Sequence, residues 1–91
     1  MLPVLWRSKA RLSLSQINNY IADHNPTAAQ RLKDAIEQAA SNLPQHPYLY
    51  RPGLVAGTRE IVVHPNYVVI YRVTISAIEI INVLHSRQQY P

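Results

Sequence analysis

Cysteine is absent from this sequence of 91 residues, and glycine occurs only twice. Without cysteine the chain can form neither a disulfide framework nor a thiolate nucleophile or thiolate metal site. No uninterrupted apolar run approaches the roughly 18 residues that a membrane span needs, and the apolar stretch after Met1 is too short for a signal peptide. We therefore expect one soluble domain over residues 1–91, located in the cytoplasm and held together by packing or by a partner.

Lysine is absent after Lys33, and acidic residues are few throughout the chain. Nine Lys and Arg against five Asp and Glu give a formal net charge of +4. A positive charge of this size on a small surface favours an acidic partner, which can be nucleic acid or an acidic protein. All basic residues after Pro44 are arginines, which form bidentate contacts with carboxylates and phosphates. The second half of the chain is therefore the expected recognition surface.

The first half has the pattern of a short strand followed by two helices. Residues 2–6 are apolar but contain Pro3, which suits an edge strand. Ser8 is placed to cap a first helix, and Asn25 with Pro26 is typical of the start of a second one. Apolar residues recur at helical spacing at Leu14, Ile17 and Ile21 in the first helix and at Ala29, Leu32, Ile36, Ala39 and Leu43 in the second. The short link between the helices predicts an antiparallel hairpin.

The second half has the pattern of a loop followed by three strands. Residues 44–57 are punctuated by proline and glycine, which predicts a loop stiffened by proline rather than loosened by glycine. Residues 58–64, 67–73 and 78–85 are rich in β-branched and aromatic side chains and are separated by short turns. Successive strands joined in this way predict an antiparallel meander.

Alternation along the last two strands makes both of their faces apolar. In the strand at 67–73, one predicted face carries Tyr67, Val69, Tyr71 and Val73, and the other carries Val68, Ile70 and Arg72. In the strand at 78–85, one predicted face carries Ile78, Ile80 and Leu84, and the other carries Ile81 and Val83. A helical hairpin covers only one face of a sheet. We therefore expect a loop, a second copy of the chain or another protein to cover the other face.

Several residues of the second half carry side chains that RNA cleavage without a metal requires. Such a reaction needs a base for the 2′-hydroxyl, cations for the charged phosphorane and an acid for the leaving oxygen. The candidates are Glu60, His64 or His85 as the base, Arg59, Arg72 and Arg87 as the cations, and Tyr90 or His85 as the acid. Nothing in their spacing requires them to converge.

Structural roles are open for the same residues. Arg72 is placed to pair with Glu79 across a hairpin, and His85 to bond with the backbone at the end of its strand. Tyr48 and Tyr50 suit base stacking beside Arg51 or ordinary packing. The four histidines lack the i, i+4 spacing of a helical zinc site, so we expect no metal and no cofactor.

Read in order, these segments resemble the RelE/ParE superfamily of small bacterial toxins over nearly the whole chain. The Val-Val-Ile-Tyr-Arg-Val and Glu-Ile-Ile-Asn-Val-Leu-His segments at 68–73 and 79–85 resemble the ParE branch most closely. One hypothesis within that branch is the toxin of a three-component PaaR-PaaA-ParE module. The other segments that carry the resemblance are the strand ending in Trp6, the helix with Ala10, Leu14, Ile17, Tyr20 and Ile21, then Asn25-Pro26 with Ala28-Ala29, Leu43, His46-Pro47 and Gly57-Thr58-Arg59-Glu60.

The resemblance implies an α+β fold with an N-terminal strand and an antiparallel two-helix hairpin packed on a mostly antiparallel three- to four-stranded sheet. It implies a plasmid-stabilising toxin that an acidic antitoxin neutralises within a higher-order complex. Relatives of the ParE branch poison DNA gyrase, whereas RelE relatives cut messenger RNA on the ribosome. The absence of lysine from the sheet departs from the nuclease pattern and favours gyrase. A family member with weak or lost toxicity is a third hypothesis.

Each hypothesis assigns its own residues. The expected gyrase contacts are Arg59, Arg72, Arg87, Gln88 and Tyr90. The expected antitoxin contacts are Val68, Ile70, Ile81 and Val83 on the second face of the sheet, and the groove of the helical hairpin is the alternative location. If the chain is instead a nuclease, its catalytic residues are Arg59, His85, Arg87 and Tyr90, and its partners are the ribosome and messenger RNA.

Overall fold

The chain folds into two helices and a five-stranded sheet, seen in a computed structural model that describes residues 1–88. The strands follow the order β1-β5-β4-β3-β2 across the sheet; β1 is parallel to β5, and every other neighbouring pair is antiparallel. The elements are β1 (Val4–Trp6), α1 (Ser8–Ala22), α2 (Pro26–Asn42), a 3₁₀ turn (Leu43–Gln45), β2 (Arg51–Pro52), β3 (Arg59–His64), β4 (Tyr67–Val73) and β5 (Ile78–His85). The predicted α+β fold is confirmed.

The two helices start differently. Asn25 caps α2 as predicted, because its side chain accepts a hydrogen bond of 3.1 Å from the Ala28 N–H, and Pro26 is the first helical residue. The predicted cap at Ser8 is wrong, since Ser8 is already helical and Arg7 occupies the cap position without a side-chain bond. The Arg7 N–H instead donates to the Ile80 carbonyl, so the sheet ladder continues up to the first turn of α1.

One strand of the sheet was not expected from the sequence. Residues 51–52, within the predicted loop, pair with Glu60 and Arg59 and form the short edge strand β2. Pro52 is compatible with this position because an edge strand needs no hydrogen bond from every backbone nitrogen. The sheet therefore has five strands instead of three or four.

A β-bulge in β5 changes which side chains face the helices. Tyr71 lies opposite Ile80 but Ile70 lies opposite Asn82, which leaves Ile81 as an extra residue. The alternation predicted for this strand is therefore wrong beyond Ile81. Val83 joins the core beneath the helices and is 1% exposed, so its assignment to the second face is corrected.

The second face of the sheet is already largely buried within the single chain. Val68, Ile70 and Leu84 form a separate apolar cluster and are 8%, 1% and 7% exposed, respectively. Ile81 packs against this cluster and is partly exposed. Of the four residues expected to contact an antitoxin on this face, only Ile81 is accessible to a partner without rearrangement.

The helices cover the opposite face and complete the main core. Buried residues of α2, among them Leu32 and Ile36, pack with Val69, Tyr71 and Ile80 of the sheet. This arrangement fixes the sheet edges and strand ends on which the candidate site residues lie. Within residues 1–88 neither helix is both long and apolar enough to cross a membrane.

Candidate functional site

Arg59 begins β3 and is engaged by the loop that precedes the strand. Its Nη1 donates hydrogen bonds to the carbonyl oxygens of Tyr50 at 2.9 Å and Tyr48 at 3.3 Å. The guanidinium carbon also lies 5.1 Å from the centroid of the Tyr48 ring, within the range of a cation–π contact. The arginine expected to bind a target or a phosphate thus holds the backbone of the preceding loop.

Tyr71 binds the same loop from the neighbouring strand. It is fully buried, its hydroxyl donates to the Pro47 carbonyl at 2.7 Å, and the Tyr50 ring packs edge-on against it. Burial raises the pKa of the Tyr71 hydroxyl to about 12, although the charge of Arg59 acts to lower it. Arg59 and Tyr71 therefore hold three loop carbonyls, and we call this pair the carbonyl clamp.

His85 lies at the other end of the sheet and bonds to the backbone around it. The ring Nδ1 of His85 accepts the backbone N–H of Arg87 at 3.1 Å, and the backbone N–H of His85 donates to the side-chain oxygen of Gln88 at 2.7 Å. Its ring packs edge-on against Tyr67, with centroids 5.3 Å apart. His64 has an equivalent bond, because its Nδ1 accepts the Asn66 N–H at 3.0 Å. The structural alternative for His85, a strand-terminal residue bonded to backbone, matches this geometry.

The candidate nuclease residues that the structure describes do not all lie together, because Arg59 is far from His85 and Arg87. Arg59 lies opposite Tyr71, whereas His85 lies opposite Tyr67. Tyr67 and Tyr71 are four positions apart along β4, which corresponds to about 13 Å of extended strand. Arg87 follows His85 at that distant end, and Tyr90 lies outside the residues that the structure describes.

Glu60, the remaining candidate base, belongs to an ion pair. Its carboxylate accepts a hydrogen bond of 2.7 Å from Arg51 Nε, and the Glu60 side chain is only 11% exposed. Alternation along β3 directs Glu60 away from the face that carries Ile61. Glu60, Arg59 and His85 therefore do not form one catalytic group.

The other candidate contact residues are dispersed. Arg72 lies opposite Glu79 as predicted, but the Glu79 carboxylate accepts from Arg7 at 2.8 Å. In the part of the chain that the structure describes, the Arg72 guanidinium has no ion pair, so the predicted Arg72–Glu79 bridge is wrong. Arg87 and Gln88 are exposed beyond β5, at the opposite end of the sheet from Arg72. These arginines do not form one patch.

Two clefts border the helical hairpin. One, of about 460 Å³, lies between the hairpin and the β3–β4 turn and is walled by apolar residues, with Arg31 and His64 in its lining. The other, of about 320 Å³, is lined by Trp6, Arg11 and Glu37 among others. Among residues 1–88, no three His, Asp or Glu side chains lie close enough together to hold a metal ion. The first cleft suits an apolar segment that carries a carboxylate.

Exposed apolar side chains on the loop before β3 were not identified from the sequence. Tyr48, Leu49 and Leu54 are 66%, 68% and 76% exposed, whereas Tyr50 turns inward against Tyr71. The sequence signal was the Tyr-Leu-Tyr segment between prolines. It places aromatic residues in the loop but cannot show which of them points outward.

Comparison with known proteins agrees with the fold and assigns a family. Residues 4–90 match the family described as the ParE toxin of the type II toxin-antitoxin system parDE. The chain is 35% identical to Toxin RelE2 of Caulobacter vibrioides over 86 residues, which is 94% of this chain and 97% of that protein. It is also 35% identical to Y4kP of Sinorhizobium fredii over 89 residues, which is 97% of this chain and 92% of that one.

Solved structures share the fold at lower sequence identity. A chain of the chromosomal ParDE TA system from P. aeruginosa superposes with a TM-score of 0.83 at 22% identity, covering 93% of this chain and 96% of that one. YafQ from E. coli strain BL21(DE3) superposes with a TM-score of 0.66 at 14% identity, covering 94% of each chain. The family match over nearly the whole length, supported by this shared fold, shows that the chain belongs to the ParE toxin family within the RelE/ParE superfamily of type II toxins.

Proposed function

We propose that this toxin arrests growth by binding DNA gyrase and stabilising its cleaved-DNA state, without bond-making chemistry of its own. The carrying observation is that Arg59 lies apart from His85 and Arg87, two of the other candidate catalytic residues. Arg59 is held in the carbonyl clamp, about four strand residues from the position of His85. A base, a cation and an acid that act on one phosphate must lie within hydrogen-bond reach of it. A binding mechanism has no such requirement.

Binding alone can produce the proposed effect. A ligand shifts a two-state equilibrium by as much as its affinities for the two states differ. A toxin that binds cleaved gyrase more tightly than the resealed enzyme therefore accumulates DNA breaks. Arg72, Arg87 and Gln88 remain the proposed polar contacts, as does Tyr90, while Arg59 is better explained by the clamp.

The family implies an antitoxin partner, and we place its contact on the cleft beside the hairpin and on Ile81. The cleft of about 460 Å³ includes Arg31 and His64 but no acidic residue in its lining. An acidic segment with apolar side chains, partly folding as it binds, complements such a surface. The burial of Val68, Ile70 and Val83 makes them weaker candidates than Ile81.

Two assays on the purified protein test the gyrase proposal. We expect dose-dependent inhibition of gyrase supercoiling with accumulation of cleaved DNA, and no messenger cleavage in a translating extract. His85→Gln should retain inhibition, because in this proposal His85 holds the turn that follows β5 and does not contact gyrase. Messenger cleavage that is lost in His85→Gln or Arg87→Ala variants with unchanged melting temperature would instead establish the ribosome-dependent endoribonuclease. Absence of both activities would favour a member of the family with lost toxicity.

A further inference from the structure

The loop between α2 and β3 presents apolar side chains outward from a backbone that is fixed from within. Tyr48, Leu49 and Leu54 are each at least 66% exposed and lie within seven residues of one another. Exposed apolar groups that cluster on a protein surface commonly mark a contact site, and these three are clustered in the sequence of one loop. We call these three side chains the loop patch.

Hydrogen bonds to carbonyl oxygens fix the loop in the free chain. The carbonyl clamp holds Pro47, Tyr48 and Tyr50 through Arg59 and Tyr71. Further along the loop, the Val55 carbonyl accepts from the Thr58 hydroxyl at 2.6 Å, and the Thr58 carbonyl accepts from the Gly53 N–H at 2.8 Å.

These bonds hold the loop patch without burying it. They stabilise the backbone, yet Tyr48, Leu49 and Leu54 gain no burial from them. A surface ordered before binding loses less conformational entropy when a partner arrives. A loop backbone that is held from within, with apolar side chains that point outward, is therefore the arrangement expected of a preorganised contact surface.

The charges around the loop patch favour an acidic partner. Arg51 is 60% exposed beside the loop, and the Arg59 guanidinium lies over the Tyr48 ring. Arg72 is also close to the loop, since a Cβ added at Gly57 would lie 3.8 Å from Arg72 Nε. Glu60 is the nearby acidic residue and is bound by Arg51. Three arginines against one carboxylate leave the region positive and disfavour a second copy of the same surface.

The chemistry of the loop patch favours a protein over nucleic acid. A nucleic acid uses aromatic rings for stacking and gains little from exposed leucines. Two leucines beside a tyrosine and an arginine suit an apolar recess with an acidic rim. We propose that Tyr48, Leu49 and Leu54 form the contact with the protein target of the toxin, through an acidic surface of that target. Resting on the proposed function, this assigns the loop patch to gyrase as a surface additional to Arg87 and Gln88, and it leaves the cleft beside the helical hairpin to the antitoxin.

A matched pair of double variants tests the proposal. Tyr48→Ala with Leu49→Ala removes most of the loop patch, and Tyr20→Ala with Leu12→Ala removes the same two residue types, 65% and 58% exposed, from α1. We expect the loop variant to need at least about tenfold more protein for half-maximal inhibition of gyrase supercoiling, with loss of growth arrest on expression. The α1 variant should match the unaltered protein in both. Unchanged inhibition and growth arrest in the loop variant would overturn the proposal.

Single variants at Leu49 test the charge of the partner. Leu49→Asp should weaken inhibition more than Leu49→Lys, because an acidic surface repels the added carboxylate. Both side chains are solvent-exposed, so melting temperatures should stay the same. The proposal is overturned if Leu49→Lys weakens inhibition more than Leu49→Asp does. It is also overturned if the variants lose binding to labelled duplex DNA but keep binding to gyrase, or if light scattering shows a change from dimer to monomer. Each of these results would assign the surface to another occupant.

Growth arrest separates failure of this inference from failure of the gyrase proposal. If the unaltered protein does not inhibit gyrase, the gyrase proposal fails. The loop patch is then judged on growth arrest alone: its loss in the loop variant and retention in the α1 variant support contact with a different acidic protein target. Equal growth arrest in the two variants rejects the loop patch whichever target the toxin has.

Discussion

The guanidinium of Arg59 lies over the ring of Tyr48, 5.1 Å from its centroid, and donates to the Tyr48 carbonyl at 3.3 Å. One side chain thus holds both the backbone and the ring of an exposed loop residue. A charged donor bound to backbone carbonyls is a stabilising arrangement and leaves fewer donors for a phosphate. The position at which the family resemblance suggested catalysis or target contact is, in this chain, a support for the loop.

Arg59→Ala should lower the free energy of unfolding by about 1 to 3 kcal/mol, because it leaves the Tyr48 and Tyr50 carbonyls without their charged donor. Chemical denaturation monitored by circular dichroism measures the change. Arg87→Ala is the control, since that exposed residue should change stability by no more than about 0.5 kcal/mol. Equal stability in the two variants would show that the clamp contributes nothing to the folded state.

Tyr71 should make the stability of the protein fall at high pH. Its pKa is raised from 10.0 to about 12, so the folded state holds the proton more tightly than the unfolded state does. The associated stability is fully present below pH 10 and is lost as the pH rises through about 12. A difference of about two pKa units corresponds to roughly 2 to 3 kcal/mol.

Tyr71→Phe supplies the comparison, because it cannot ionise and cannot donate to Pro47. We expect it to be less stable than the unaltered protein at pH 8 and the difference to shrink between pH 10 and pH 12. Urea denaturation at a series of pH values measures the free energy of unfolding of the two proteins. A difference that stays constant over this range would mean that Tyr71 does not resist ionisation.

The sequence predicted the elements well, because their signals are local. Asn25 with Pro26 marked the start of α2, and the turn around Asn66 marked the boundary between β3 and β4. The five-strand count required the pairing of Arg51 with Glu60, which depends on how the loop folds back over β3. Such a contact between distant segments has no periodic signal in the sequence.

The candidate site could be predicted less well, for a related reason. To predict how far apart Arg59 and His85 lie, one must know the register of β3 against β4 and that of β4 against β5. The extra residue at Ile81 also reverses the direction of every side chain after it, so Val83 was placed on the wrong face. The sequence names residue types that each hypothesis needs, but their convergence and direction depend on bulges and registers that short patterns do not encode.

Truncating Ile81 and truncating Val83 should lower the free energy of unfolding of the protein by different amounts. Val83→Ala should cost about 1 to 3 kcal/mol, because it opens space in the core beneath the helices. Ile81→Ala should cost less, since Ile81 is partly exposed beside the second-face cluster. If Ile81 contacts the antitoxin, its variant should also weaken that complex, measured by calorimetric titration. A larger stability loss for Ile81→Ala would contradict the placement of the bulge.

The bulge also positions a buried polar contact between α1 and the sheet. Ser13 Oγ donates to Asn82 Oδ1 at 2.6 Å, and the same oxygen accepts the Val83 N–H at 2.9 Å. Asn82 is only 6% exposed, so an alanine there leaves two donors without their acceptor. Asn82→Ala should therefore cost about 1 to 3 kcal/mol, and Ser13→Ala about 1 kcal/mol.

A double-mutant cycle tests whether Ser13 and Asn82 act as one unit. The Ser13→Ala and Asn82→Ala losses should combine to less than their sum, with a coupling of about 0.5 kcal/mol or more, measured by urea denaturation. Ser15→Ala is the matched control, because Ser15 is an exposed residue of the same helix and gains the same helix propensity on replacement. Additive losses, or equal effects of Ser13→Ala and Ser15→Ala, would mean that packing alone holds α1 against β5.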